Sequence, residues 1–231
     1  MIKAVFFDLY QTLVRYEPPR ENIESDILKD FGIEVSPDAL RRPIVVADEF
    51  IYNEIARRPL SDRSTEEKMA LYVQYQGILL KEAGIEYDRK ILPPLLGAMQ
   101  KSRMDLVLFD DVAPLLDDLK GKGLTLGLIS NIEQDMTETL TGLKLTSWLE
   151  IIVTSQDVAS GKPGPEIFQE ALRRAGVAPE ESIYVGDQYQ VDVVGSRGAG
   201  MKAVLVDRND YYDDDIDCIK ISNLNTVVDY L

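Results

Sequence analysis

Four short stretches of this 231-residue chain combine residue types that do chemistry. Asp8 follows the apolar run Ala4-Val5-Phe6-Phe7, with Tyr10 and Thr12 just beyond it. Ser130-Asn131 follow the run at residues 124–129, and Lys162 lies in the stretch after Ile151-Ile152-Val153-Thr154. Gly186-Asp187 follow residues 182–185, and Asp192 comes shortly after them. A carboxylate at the tip of a buried strand can act as a nucleophile. Hydroxyl and amide donors can hold developing negative charge. Several carboxylates together can hold a hard cation through oxygen. Each stretch also has a plainer reading. Ser130-Asn131 and Asp192 suit helix N-caps, Asp8 and Gly186-Asp187 suit turns, and Lys162 suits a solvated surface.

Position in the elements separates these readings. Ala4-Val5-Phe6-Phe7 is a short buried strand, and the other three stretches follow apolar runs of similar length. Strands at residues 124–129, 151–154, 182–185 and 202–206, with a further short one near Ile219, alternate with helices at 114–119, 133–143, 165–175, 192–199 and 223–231. Such alternation predicts βαβ units and a doubly wound parallel sheet covered on both faces. In that α/β class, ligands bind beyond the carboxyl ends of the strands. All four stretches would then meet at one edge of the sheet.

Between the first strand and the rest the text is helical. Residues 15–100 show no strand pattern and read as four helices. Ile23, Ile27, Leu28 and Phe31 fall at helical spacing before Gly32, and Ser36-Pro37 opens the second helix. Pro43 sits badly inside a helix, so the regular part is expected from about Ile44. Ser64 and Glu67 offer a capping box for the third. The expected organisation is an α/β core from residues 1–14 and 101–231, with an α-helical segment at 15–100. The acidic run at 210–217 reads as a solvated loop.

Composition narrows the chemistry. The chain has no histidine, which removes Ser-His-Asp and Cys-His catalysis and imidazole-bound metals. A bound metal would have oxygen ligands, as Mg2+ prefers. A net charge of −15 opposes nonspecific binding to nucleic acid or to an anionic membrane, but not a small anionic substrate in a local positive pocket. With one cysteine, no long apolar run and a strand almost at the N-terminus, a cytoplasmic protein is expected. Nothing in the sequence sets its oligomeric state.

The four motifs together resemble the haloacid dehalogenase (HAD) superfamily of aspartate-nucleophile hydrolases. The matching stretches are Phe6-Phe7-Asp8-Leu9-Tyr10-Gln11-Thr12-Leu13, Ile129-Ser130-Asn131, Gly161-Lys162-Pro163, and Val185-Gly186-Asp187 through Asp192-Val193-Val194-Gly195, with Gly200-Met201-Lys202-Ala203-Val204 behind them. The resemblance implies a Rossmann-like core with a helical cap inserted after the first motif. It implies Asp8 as nucleophile, with Thr12 hydrogen-bonded to it. Ser130 and Asn131 would hold the transferred group, and Lys162 would offset negative charge. Mg2+ would be held by Asp8, the Tyr10 carbonyl and Asp187, with Asp192 in support. Arg41 and Arg42 in the cap would be candidates to meet an anionic substrate, beside Tyr16, Tyr52 and Arg57.

One residue departs from the phosphatase pattern. Most phosphatases of this family carry a second aspartate two residues after the nucleophile, to protonate the leaving oxygen. Here that residue is Tyr10, whose phenol has an ordinary pKa of about 10 and is a poor acid for the task. Tyrosine there resembles the 2-haloacid dehalogenases, which displace halide without a metal and need no proton donor. Those enzymes, however, replace the acid at Asp187 and carry tyrosine where this chain has Phe168. Ionised Asp8, Asp187 and Asp192 in one pocket repel one another without a cation. The sequence therefore points first to Mg2+-dependent phosphoryl transfer, with a preference for leaving groups that depart unprotonated. Dehalogenation and phosphate binding without turnover are the alternatives. A cap carboxylate, Glu17 or Glu49, could stand in for the missing acid.

Overall fold

A computed structural model of the protein describes residues 1–132, 135–158, 160–212 and 215–231. Its elements run β1 (Ala4–Phe7), β2 (Val14–Glu17), α1 (Arg20–Asp30), α2 (Pro37–Arg57), α3 (Thr65–Glu82), α4 (Leu92–Met99), β3 (Asp105–Leu108), α5 (Val112–Gly121), β4 (Thr125–Ser130) and α6 (Thr137–Gly142). They continue with β5 (Ile151–Thr154), α7 (Ser155–Val158), α8 (Pro165–Ala175), β6 (Ser182–Gly186), a π-helical turn (Tyr189–Val194), α9 (Gly195–Gly198), β7 (Lys202–Val206), β8 (Ile219–Ile221) and a 3-10 turn (Leu224–Tyr230). The chain divides into two compact units. One comprises Met1–Arg15 with Val107–Leu231, the other Tyr16–Leu106.

The first unit is built on a six-stranded parallel sheet in the order β5-β4-β1-β6-β7-β8. β1 lies in the middle, with Phe7 opposite Leu128 of β4 and Val185 of β6. That register brings the residues following β1, β4 and β6 out at the same edge. β1 and β6 are buried along their whole length, as strands covered on both faces must be, which explains the apolar text of Ala4-Val5-Phe6-Phe7 and Ile183-Tyr184-Val185. α8 buries Ile167, Phe168, Ala171 and Leu172 into a core that includes Phe6, Ile129 and Tyr184. Its helical spacing of one apolar face is the reason it packs there. Burial of Ile167, Phe168 and Leu172 contributes roughly 1.5–3 kcal/mol each.

The second unit holds α1 to α4, packed around Leu28, Leu40, Ile44, Leu79, Leu80, Leu92 and Leu95. Ser64 and Glu67 form the capping box at the start of α3. A polar cluster is buried among these helices. Arg20 forks onto Asp48 at 2.7 and 2.9 Å, and Tyr75 donates to Asp48 at 2.9 Å. Glu24 and Gln76 are buried beside them, each with a side-chain oxygen that has no hydrogen-bond partner. Among the described residues no helix is long and apolar enough to cross a membrane.

The elements depart from the sequence expectation in five places. α2 runs unbroken from Pro37 through Pro43. Proline removes one backbone donor early in a 21-residue helix, and the burial of Pro43 with Leu40, Ile44 and Ala47 outweighs that loss. β2 and β3, which pair with each other, were not expected. Val14-Arg15-Tyr16-Glu17 alternates over only four residues, too short a run to stand out within helical text, and its strand form comes from its partner. α6 starts at Thr137; Glu133 and Gln134 of the expected helix lie outside the described residues, as do Asp213 and Asp214 of the acidic run. The expected helix at 192–199 starts earlier, as a π turn from Tyr189. The final segment winds as a tighter 3-10 turn, in keeping with the β-branched run Thr226-Val227-Val228.

Candidate active site

Asp8 is placed by the sheet itself. Its backbone N–H continues the β1–β6 ladder by donating to the Val185 carbonyl at 2.9 Å, so the side chain emerges at the strand tip, 7% exposed. Ser130, the last residue of β4, brings its Oγ to 3.3 Å from Asp8 Oδ1. Beyond Asp8 the chain turns back on itself. Leu13 and Val14 both donate to the Leu9 carbonyl at 2.9 Å, and Gln11 takes a left-handed conformation with φ of 60°. Tyr10 sits half-buried in this turn.

Lys162 is the centre of the site. Its side chain is 3% exposed, and its ammonium spends all three protons on protein acceptors. Nζ donates to Asp8 Oδ1 at 2.6 Å, to Asp192 Oδ1 at 2.7 Å and to the Tyr184 hydroxyl at 2.8 Å. Asn131 fixes the backbone beneath it, accepting from Lys162 N–H at 2.7 Å and donating to the Lys162 carbonyl at 2.9 Å. Gly161 permits this approach, since a Cβ there would stand 2.9 Å from Asn131 Oδ1.

Asp192 comes from the π turn. Its side chain lies back against the end of β6. There Oδ2 accepts from Gln188 N–H at 2.9 Å, while Oδ1 meets Lys162 and the Tyr184 hydroxyl, the latter at 3.0 Å. Gly186 makes room: any Cβ at that position would overlap the Asp192 carboxylate. Asp187 is half-buried, and Thr12 Oγ1 lies 3.5 Å from its Oδ1. Thr12 was expected to hold Asp8. The tight turn instead carries its hydroxyl toward Asp187.

The charges shift as burial dictates. Burial raises the Asp8 carboxyl from an ordinary 3.8 to about 6; Lys162 pulls it down and Asp192 pushes it further up. Burial works against the Lys162 ammonium, but Asp192 and Asp8 more than offset it and hold the lysine above its ordinary value. Burial, Asp192 and Asp8 together keep the Tyr184 phenol protonated, well above its ordinary range. The ammonium is thus a fixed cation between two carboxylates.

The structure brings Asp8, Thr12, Ser130, Asn131, Lys162, Asp187 and Asp192 together at one edge of the sheet. Oxygens of Asp8, Asp187 and Asp192 lie within 4.8 Å of one another. Three carboxylates against one ammonium make a donor set that suits a divalent cation. Arg41 and Arg42 belong to α2 in the helical unit. Arg41 pairs there with Glu21 and Asp38, both at 3.1 Å, and Arg42 is exposed. Sequence reasoning missed Tyr184 and the clasp formed by the Asn131 side chain. Tyr184 lies inside an apolar strand and reads as a core aromatic. No local pattern marks where the Asn131 amide points.

A family model described as haloacid dehalogenase-like hydrolase matches residues 5–206. The chain is 31% identical over 213 residues to a glyceraldehyde 3-phosphate phosphatase of Methanothermobacter thermautotrophicus, covering 89% of this chain and 86% of that protein. It is 29% identical over 228 residues to a phosphoserine phosphatase of Thermus thermophilus, covering 90% and 89%. Among solved structures it resembles a 2-haloacid dehalogenase from Pseudomonas syringae, with a TM-score of 0.58, 26% identity, and 99% and 97% coverage.

Proposed function

The chain belongs to the haloacid dehalogenase-like hydrolase family, and from that premise we propose that it is a Mg2+-dependent phosphatase acting on a small phosphorylated metabolite. The observation that carries this reading is the convergence of the Asp8, Asp187 and Asp192 oxygens, with one buried ammonium bridging Asp8 and Asp192. A dehalogenase pocket has no use for the extra negative charge of Asp187.

Asp8 is the proposed nucleophile. A carboxylate oxygen of Asp8 forms a bond to phosphorus, the bond from phosphorus to the leaving oxygen breaks, and that oxygen departs with the electron pair. Water then attacks phosphorus, frees Asp8 and releases inorganic phosphate. Lys162 keeps Asp8 ionised and oriented during attack, since its ammonium cannot leave the two carboxylates without stranding them. Ser130 and Asn131 border the space in which the transferred oxygens sit. Asp8, the Tyr10 carbonyl and Asp187 would hold Mg2+, with Asp192 behind them, and the cation would supply charge neutralisation and polarise the phosphoryl oxygens. Arg41 and Arg42 are the proposed cap cations for an anionic substrate.

Tyr10 gives this phosphatase its character. With a phenol in place of the acid, the leaving oxygen gains no proton from that position. Acyl and aryl phosphates are therefore the expected substrates, ahead of alkyl phosphates. Tyr10 also favours the second reading, carbon attack on a 2-haloacid. The test is phosphate release from an aryl phosphate and chloride release from 2-chloropropionate, each with and without Mg2+. Mg2+-dependent phosphate release without chloride release is expected. Metal-independent chloride release would overturn the reading.

A further inference from the structure

Arg208 follows β7 and has no part in the chemistry described above. Its guanidinium forks onto Asp111 at the start of α5, with Nη1 2.8 Å from Oδ2 and Nη2 3.0 Å from Oδ1. Nη2 also donates to the carbonyl of Thr12 at 2.9 Å. The guanidinium carbon lies 3.8 Å from the centre of the Phe109 ring, and Phe109 N–H in turn donates to the Leu13 carbonyl at 3.1 Å. Two adjacent carbonyls of the turn after Asp8 are thus held from one side, by one stacked arginine and the backbone beneath its ring. Asp111 is itself fixed, because Oδ2 also accepts from Leu224 N–H at 2.8 Å.

The orientation is specific. Arg208 Nε is buried with no acceptor, so the side chain leaves one donor unsatisfied while its fork meets Asp111 and Thr12. A lysine could supply the charge, but not two parallel bonds to Asp111 together with a third to Thr12. Inside the turn, Gln11 N–H donates to the Val14 carbonyl at 2.7 Å, and the Thr12 carbonyl is held from outside by Arg208. Gln11 occupies a backbone region that side chains rarely adopt, and two N–H groups share the single carbonyl of Leu9. Thr12 also carries the hydroxyl that faces Asp187.

We propose that Arg208 is a positioning residue: by clamping the Thr12 carbonyl to Asp111 it sets the turn that carries Tyr10 and the Thr12 hydroxyl to their places beside Asp8. The inference rests on the phosphatase reading for its activity measurement only. A second measurement reads the turn directly, whatever the reaction proves to be.

The variants are R208M, R208K and D111N, the last keeping an acceptor for Leu224 N–H. In aryl phosphate hydrolysis with Mg2+, R208M and R208K are expected to lose kcat by roughly 10- to 100-fold with KM within about twofold. D111N is expected to show a smaller loss in the same direction. Amide exchange by NMR is expected to quicken at least ~10-fold at Leu13 and Val14 while the amides of β4 and β6 keep their protection. If R208M does not fold, R208K carries both measurements. A folded R208M or R208K with wild-type kcat, or with unchanged exchange at Leu13 and Val14, overturns the proposal. A uniform loss of protection across the sheet overturns it too, because Arg208 would then be holding the fold and not the turn. If the wild type shows no phosphatase activity, the exchange measurement alone decides.

Discussion

The ammonium of Lys162 lies 2.6 Å from Oδ1 of Asp8, with only 3% of the lysine side chain exposed. Because the same ammonium meets Asp192 at 2.7 Å, Lys162 is both the partner of the proposed nucleophile and the fixed point of the site. Removing one member of a buried ion pair leaves an uncompensated charge, which costs about 3–5 kcal/mol. K162M should therefore lower the melting temperature in metal-free buffer and abolish turnover. A melting curve and a phosphate-release assay check both. Unchanged stability would mean that Lys162 does not hold the two carboxylates together.

Gly186 tests the placement of Asp192 without touching a charge. Any Cβ at this position overlaps the Asp192 carboxylate, which is held by backbone and lysine together and cannot swing away cheaply. G186A is expected to displace Asp192, free one proton of Lys162 and reduce kcat by at least ~10-fold. Steady-state kinetics on a variant that still melts cooperatively would show it; wild-type kcat would contradict it.

The two β strands that bound the nucleophile explain how much of this was legible in advance. Strand ends can be read from apolar runs, and the structure places Asp8, Ser130, Lys162, Asp187 and Asp192 at one edge, because a parallel sheet leaves little freedom there. Side-chain direction cannot be read that way. Tyr184 presents its hydroxyl to Lys162 from within a strand whose text is otherwise apolar. Thr12 turns toward Asp187 because Gln11 adopts a positive φ, which no residue type at that position announces. Pro43 was misjudged for the opposite reason: a local rule was outweighed by burial that only the folded helices supply.

Glu24, buried in the helical unit, predicts a pH dependence of stability. Burial raises its carboxyl from 4.5 to about 7, against the opposing pull of Arg20 and a hydrogen bond from Gln76. The folded state then holds a proton that the unfolded state has released between those two values. The contribution of Glu24 to stability falls as pH rises from about 4.5 to about 7 and levels off above, by roughly 3 kcal/mol. E24Q removes this group, so its melting temperature should exceed that of wild type above pH ~7 and approach it in acid. Parallel wild-type and E24Q profiles would sink the assignment.

Tyr10 predicts substrate preference. Y10D restores a carboxyl group where a proton donor is needed. It should raise turnover of alkyl phosphate monoesters by ~10²-fold or more while changing that of acetyl phosphate little. The ratio of the two rates, wild type against Y10D, is the measurement. An unchanged alkyl rate would point to another acid, with Glu17 and Glu49 the first to replace.

The central claim is that Asp8 attacks phosphorus, and trapping the covalent intermediate tests it most directly. Wild-type protein is quenched in acid during turnover of acetyl phosphate with Mg2+, digested and mapped by mass spectrometry. The account predicts a phosphoryl group on Asp8, absent from D8N and absent without Mg2+. A phosphoryl group on another residue, or none on Asp8 while 2-chloropropionate leaves an ester there, would contradict it.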